Sequence, residues 1–305
     1  MHEHIEGLVA ASFTPMNPDG SMNPAMIEQQ LDLLVRNKVA GVFVNGSTGE
    51  SLSLSVQERL DIAKRWVDAA PDDFKVIIHC GHTSLAECKD MAAQAEKIGA
   101  WGIGAMAPSF FKPETLAELV AFCVELASCA PNLPFYYYHI PSMTGVHFPM
   151  TDFLEAASPK IPNLAGIKYT WEDLLDFNLC RLMDGGRFDL LFGRDEHLIC
   201  GLALGARGAI GSTYNFAAPL YNRLIEAFDS GNLEKARQLQ VQSQKMIRLF
   251  LRVDATFLGV MKTVMKMVGV DCGPVRLPLK NPSQEQHDKL QADLEKIGFF
   301  EFCSK

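Results

Sequence analysis

The sequence predicts an α/β protein, a (β/α)8 TIM barrel with a C-terminal helical extension, and three observations carry that expectation. Eight short apolar runs recur along the first two thirds of the 305 residues, each continuous rather than alternating in polarity. Strands buried on both faces of a parallel sheet read this way. Amphipathic stretches separate the runs at a repeat of roughly 30 residues, one strand and helix per unit. The first run leads into Ser12-Phe13-Thr14-Pro15 instead of a glycine-rich phosphate loop, which argues against an open doubly wound sheet.

In chain order the runs are GLVAASF (7–13), GVFVN (41–45), KVIIHC (75–80), GIGAMA (102–107), FYYYHI (135–140), LAGIKY (164–169), DLLFG (189–193) and GAIGS (208–212). After the first, Ile27, Leu31, Leu34 and Val35 recur at helical spacing. Ser55-x-x-Glu58 and Ser84-x-x-Glu87 are capping-box patterns that open the next two helices. Beyond residue 232 no strand-like run appears. Three helices are expected there: 233–251, 256–267, and one opened by Ser283-x-x-Gln286 with Leu290, Leu294 and Ile297 on a face. A Gly- and Pro-containing stretch, 271–282, separates the last two. The expected organisation is a barrel catalytic domain over 1–232, with the helices of 233–305 packed on it.

Composition narrows the function classes. Acidic groups outnumber basic ones 36 to 28, for a net charge of -8, so there is no electrostatic footprint for nucleic acid or an anionic membrane. The start lacks a basic segment followed by an apolar one, and no apolar run approaches the ~20 residues of a bilayer span. A cytoplasmic location follows as the expectation. The eight cysteines form no C-x-x-C pair, which favours reduced core thiols over disulfides.

A barrel concentrates its chemistry at the carboxyl ends of its strands. Lys168 stands at the mouth end of the sixth run. Desolvation there lowers an ammonium pKa and supplies the neutral amine that attacks a ketone to form a Schiff base. Position alone serves equally a lysine that snorkels to solvent or pairs with a carboxylate. Tyr138 closes the neighbouring fifth run and offers a phenol to pass protons. Alternation puts it with Tyr136, opposite Tyr137, so at most one face of the trio looks inward. The turn Gly46-Ser47-Thr48-Gly49 offers N–H groups and two hydroxyls to a small carboxylate. With no G-x-x-x-x-G-K-[ST] motif, a nucleotide is disfavoured. Asp195 and Glu196 follow the seventh run, where they suit either a helix's first turn or sugar hydroxyls, and Ser212 adds a hydroxyl after the eighth. His79 and His82 lack a third identifiable ligand, so no metal is expected.

Taken together, Gly46-Ser47-Thr48-Gly49-Glu50, Tyr138-His139-Ile140-Pro141, Gly166-Ile167-Lys168 and Gly208-Ala209-Ile210-Gly211-Ser212 resemble the pyruvate-dependent class I aldolase and lyase family that includes dihydrodipicolinate synthases and N-acetylneuraminate lyases. The match runs in order from Thr14-Pro15 to about residue 215. The resemblance implies Lys168 as the Schiff-base lysine, Tyr138 as proton relay, Ser47 with Thr48 as the pyruvyl carboxylate pocket, no cofactor, and a homotetramer. Synthases of the family carry an arginine shortly after the Tyr-x-x-Pro turn; here Ser142-Met143-Thr144-Gly145 places a neutral thioether there. The run Tyr136 to Pro141, Lys168-Tyr169-Thr170 and Phe192-Gly193-Arg194-Asp195-Glu196 are instead similar to the sialic-acid-cleaving branch. That implies Thr170, Gly193, Asp195, Glu196 and Ser212 as contacts for the polyhydroxy chain, with sialic acid, pyruvate and N-acetylmannosamine as small-molecule partners. One departure is Phe110-Phe111, where many relatives place a tyrosine that reaches into a neighbouring subunit. A lyase for another 2-keto-3-deoxy sugar acid would share Lys168 and Tyr138 and differ at the aldehyde end. A non-catalytic sugar-acid sensor would bind without releasing pyruvate.

Overall fold

The computed structural model describes residues 3–305. All eight expected runs are strands: β1 (Gly7–Ala11), β2 (Gly41–Val44), β3 (Lys75–His79), β4 (Gly102–Met106), β5 (Phe135–His139), β6 (Leu164–Tyr169), β7 (Asp189–Phe192) and β8 (Gly208–Gly211). They pair in parallel in sequence order, and β8 returns to β1 to close the barrel. Closure removes every sheet edge, so the short strands leave no open hydrogen-bonding row.

Helices α1 (Met26–Arg36), α2 (Val56–Ala69), α3 (Leu85–Lys97) and α4 (Leu116–Ala127) cover the first half of the barrel. The short α5 (Pro141–Thr144), α6 (Met150–Ala157), α7 (Leu174–Leu182), α8 (Leu198–Ala203) and α9 (Tyr214–Asp229) complete the ring. The reciprocal capping box at Ser55 and Glu58 is formed. Ser84 caps α3, but its own N–H donates to His82 Nδ1 at 3.0 Å, so the Glu87 carboxylate has no N–H to reach back to. That corrects the full box expected there and gives His82 a local task. Thr115 and Glu118 form a further reciprocal box at the start of α4.

After α9 come α10 (Leu233–Phe250), α11 (Phe257–Met267), α12 (Gln284–Lys296) and the short α13 (Phe299–Phe302). The chain end returns to the barrel: Ser304 N–H donates to Phe216 O, and Asn37 Nδ2 donates to Lys305 O. All eight cysteines are free thiols. No helix among the described residues is long and apolar enough to cross a membrane.

The barrel interior is a small apolar cluster, with Val9, Phe43, Ile77, Tyr136, Leu191 and Ile210 among its members. A larger cluster fills the space between strands and helices. Tyr136 and Tyr138 point inward, while Tyr137 packs outside against Phe153 at a ring distance of 4.5 Å.

One irregularity in β6 decides what faces the mouth. Phe135 pairs with Leu164, but Tyr136 pairs with Gly166, so Ala165 is an extra residue in the ladder. Strict alternation from the outward Leu164 would turn Ile167 in and Lys168 out. The bulge resets the phase: Ile167 joins the outer cluster and Lys168 pairs with the inward Tyr138. Gly166 tolerates the crowding because a Cβ there would lie 1.9 Å from Asp189 O.

Candidate active site

A cavity of about 310 Å³ opens at the carboxyl ends of the strands, and the structure brings all nine sequence-nominated residues to its wall. Strand ends supply them directly. Lys168 is the penultimate residue of β6 and Tyr138 that of β5; Thr170 and Gly193 extend the ladder, donating from N–H to His139 O and Tyr169 O, each at 2.8 Å. A Cβ on Gly193 would lie 2.1 Å from Thr170 Oγ1, so this position keeps the threonine hydroxyl at the wall. Thr170 Oγ1 is itself buried without a hydrogen-bond partner.

Lys168 is almost fully buried at 3% exposure. Its Nζ lies 3.9 Å from the centroid of the Tyr138 ring and 4.1 Å from that of Phe43. Ring faces favour a cation but replace little of its lost hydration. Burial therefore pulls the ammonium from its ordinary 10.5 down to about 7, against the smaller opposing pull of the Asp195 carboxylate. A large share of this lysine is a free amine at neutral pH. Tyr138 is pushed up to about 12, chiefly by burial, so its phenol keeps its proton.

The β2 turn supplies the opposite wall. Ser47–Gly49 is one turn of 3-10 helix. Ser47 Oγ lies 3.0 Å from Tyr138 OH, and Thr48 Oγ1 lies 2.7 Å from Ser212 Oγ. Four hydroxyls from three strand ends, two of them from the β2 turn, thus form two pairs at the cavity wall.

Asp195 does not cap the helix it precedes. Its Oδ2 accepts from Thr213 N–H at 2.8 Å and Thr213 Oγ1 at 2.6 Å, and Tyr221 OH lies 2.8 Å behind that threonine. A Cβ on Gly211 would collide with this carboxylate. Burial raises Asp195 to about 6 despite the Thr213 bonds. Glu196 is half-exposed, 3.4 Å from Arg194 Nε, and Arg194 also pairs with Glu172. A carboxylate so placed remains open to a ligand's hydroxyls.

His79 is fully buried in the barrel wall, its Nδ1 3.1 Å from Asn45 O and its Nε2 accepting from Met106 N–H at 3.3 Å. Burial and the adjacent Arg59 hold it well below the ordinary histidine range. Neither ring nitrogen is left over for a ligand. Among the described residues no group of three or more His, Cys, Asp or Glu could hold a metal ion.

Sequence reasoning missed the contribution of the C-terminal helices. Ile247 and Leu251 of the α10 region and Phe257 of α11 line the cavity. Two turns earlier on the same helix, Gln240 Nε2 donates to Asp195 O at 3.1 Å and Gln244 Nε2 to Glu196 O at 2.9 Å. The 240, 244, 247, 251 spacing is one helical face, and that periodicity is visible in the sequence; what it packs against is not. Phe110, Phe111 and Met143 lie outside the cavity wall, at 76%, 85% and 64% exposure. A larger hollow of about 590 Å³ sits at the opposite end of the barrel. Its lysine, Lys75, is held by Glu3 at 3.2 Å, and its Arg187 by Asp184 at 2.8 Å, so among the described residues its one lysine is already paired.

A desolvated lysine amine at the mouth of a (β/α)8 barrel, with a protonated phenol from the adjacent strand, is the chemistry of a class I aldolase, and this chain is an enzyme of that class. Comparison places it further: the family described as dihydrodipicolinate synthetase matches residues 4–297. The human N-acetylneuraminate lyase is 43% identical over 306 residues, covering 98% of this chain and 94% of that protein. The N-acetylneuraminate lyase A of Xenopus laevis is 42% identical, covering 97% of each. The solved structure of Proteus mirabilis N-acetylneuraminate lyase superposes with a TM-score of 0.94 at 37% identity, covering 97% of this chain and all of that one. The chain belongs to the dihydrodipicolinate synthetase family.

Proposed function

We propose that this enzyme is an N-acetylneuraminate lyase, cleaving N-acetylneuraminate to N-acetylmannosamine and pyruvate by a Schiff-base retro-aldol reaction. The observation that carries the reading is Lys168, desolvated and poised near pH 7 between a hydroxyl-rich turn and the Asp195–Glu196 pair. Lys168 attacks the C2 ketone of the open-chain sugar acid, and loss of water gives the imine. Ser47 and Thr48 hold the carboxylate. Tyr138, hydrogen-bonded to Ser47, donates and recovers the protons of these steps. The protonated imine then withdraws the electron pair of the C3–C4 bond as the C4 hydroxyl loses its proton. N-Acetylmannosamine departs, and the enamine takes a proton at C3 before water releases pyruvate. Thr170, Gly193, Asp195, Glu196 and Ser212 surround the polyhydroxy chain.

Met143 supports the lyase branch over the synthases, because an exposed thioether makes no ion pair with a carboxylated aldehyde. We further place the enzyme in the cytoplasm as a homotetramer. Leu175, Leu179 and Leu182 leave an apolar stripe on α7 that a second copy would cover.

The test is incubation with N-acetylneuraminate and borohydride. Reduction should fix a pyruvate-derived adduct on Lys168, with N-acetylmannosamine in solution, and Lys168→Ala should lose trapping and lower kcat/KM by roughly 10⁴ or more. A trapped adduct on another lysine would overturn the assignment. Faster cleavage of a different 2-keto-3-deoxy sugar acid across a substrate panel would redirect it to that substrate.

A further inference from the structure

The carboxylate-binding turn ends on a residue whose side chain leaves the active site altogether. Glu50 closes the Ser47–Gly49 turn by donating its N–H to Ser47 O at 3.1 Å, and adopts a left-handed φ of 64° to do so. Its carboxylate runs down to the C-terminal extension. Oε1 accepts from Lys262 Nζ of α11 at 2.7 Å, and Oε2 accepts from Arg276 N–H at 2.9 Å. The Lys262 ammonium also donates to Pro274 O at 2.8 Å. Side-chain exposure is 1% for Lys262 and none for Glu50. The 274–276 segment is braced in turn, since the Arg276 guanidinium holds Glu58 at the start of α2 and Gly20 O.

Two features of this arrangement are unfavourable on their own. A left-handed backbone strains any residue with a Cβ. A buried ion pair gains little over apolar side chains of the same volume, because both charges lose their hydration. What the pair does provide is direction: the two carboxylate oxygens are held by donors from α11 and from the 274–276 loop, which Lys262 ties together through Pro274 O, and this fixes the Glu50 side chain and with it the backbone of the turn. That backbone sets where the Ser47 and Thr48 hydroxyls meet Tyr138 and Ser212.

We infer that Glu50 and Lys262 are positioning residues, through which the C-terminal extension holds the turn in register to bind the pyruvyl carboxylate. The inference rests on the reading that Ser47 and Thr48 receive that carboxylate. It makes the extension part of the machinery at the keto-acid end, while Gln240 and Gln244 serve the sugar end.

The experiment compares Lys262→Met, the double variant Glu50→Gln with Lys262→Met, and Thr48→Val. Each is measured for thermal midpoint, for the pyruvate concentration giving half-maximal borohydride trapping on Lys168, and for the KM of N-acetylmannosamine in the condensation direction. Lys262→Met alone leaves a buried carboxylate unpaired and should lose the most thermal stability. The double variant removes both charges and should recover most of that loss; it carries the test if the single variant does not fold. Its half-saturating pyruvate should nevertheless stay raised by roughly tenfold, with the aldehyde KM changed much less. A double variant that recovers both its midpoint and the parent's pyruvate response overturns the inference and leaves the pair a structural one. If Thr48→Val also leaves the pyruvate response unchanged, the turn does not hold the carboxylate, and the underlying reading falls with it.

Discussion

Lys168 carries two consequences that a single residue can test. With its ammonium near 7, the free amine grows as pH rises through that value, so the initial rate of pyruvate trapping should climb from pH 6 to 8 and then level. A lysine with an ordinary pKa would keep climbing toward pH 10. The same shift is linked to stability. Between about 7 and 10.5 the unfolded chain holds a proton that the folded one has released, so stability rises with pH across that window. At and below pH 7 the cost of a buried ammonium is fully present. Lys168→Met should therefore melt above the parent at pH 7, and thermal melts should show that advantage shrinking toward pH 10. Tyr138→Phe keeps the ring beside Lys168 but removes the proton and the Ser47 bond; kcat should fall by roughly 10²–10⁴ with little change in the melting temperature.

At the scale of elements, the strands place the chemistry and the loops finish it. The bulge at Ala165 is what turns Lys168 inward, and the sequence run LAGIKY shows a continuous apolar strand without showing the phase of its side chains. The α10 face is the second element-level device. Gln240 bonds Asp195 O and also accepts from Ile199 N–H at 2.9 Å, so Gln240→Leu strands one buried and one part-buried backbone group and should cost about 1–3 kcal/mol in denaturant melts. Gln244 is only partly buried and holds Glu196 O alone. Gln244→Ala should raise the KM for N-acetylneuraminate several-fold while half-saturating pyruvate in the trapping assay stays at the parent's value, because the proposed site anchors the keto acid through Ser47 and Thr48 instead.

For the whole molecule, a net charge of -8 means that an anionic substrate gains no help from a positive global field. In the proposed site, capture falls to the local set of hydroxyls, N–H groups and Lys168. Raising salt should accordingly change kcat/KM little. The exposed α7 stripe belongs to this scale too: Leu179→Asp should shift the enzyme to a smaller species in sedimentation or light scattering if that face joins copies, and an unchanged mass would remove α7 from the interface.

The eight strands, within a residue or two of their ends, the barrel class and the nine residues that meet at its mouth were all legible in the order of residues alone. Barrel topology makes this possible, because every strand end is brought to one place and a polar residue there has one destination. Short-range capping chemistry was readable for the same reason that it is local, and it failed at Ser84 only where His82 took the N–H first. The tertiary structure alone decided three matters. It set the side-chain phase of Lys168, which depends on how β6 pairs with β5. It turned Asp195 away from its own helix toward Thr213, eighteen residues on. It joined the C-terminal helices to both ends of the cavity through Gln240, Gln244 and the Glu50–Lys262 pair, whose partners lie 45 to 212 residues apart in the chain. The identity of a partner at such a separation leaves no mark in the sequence, even where the periodicity of one helical face does; the contact exists only once burial has brought donor and acceptor together with little water to bind.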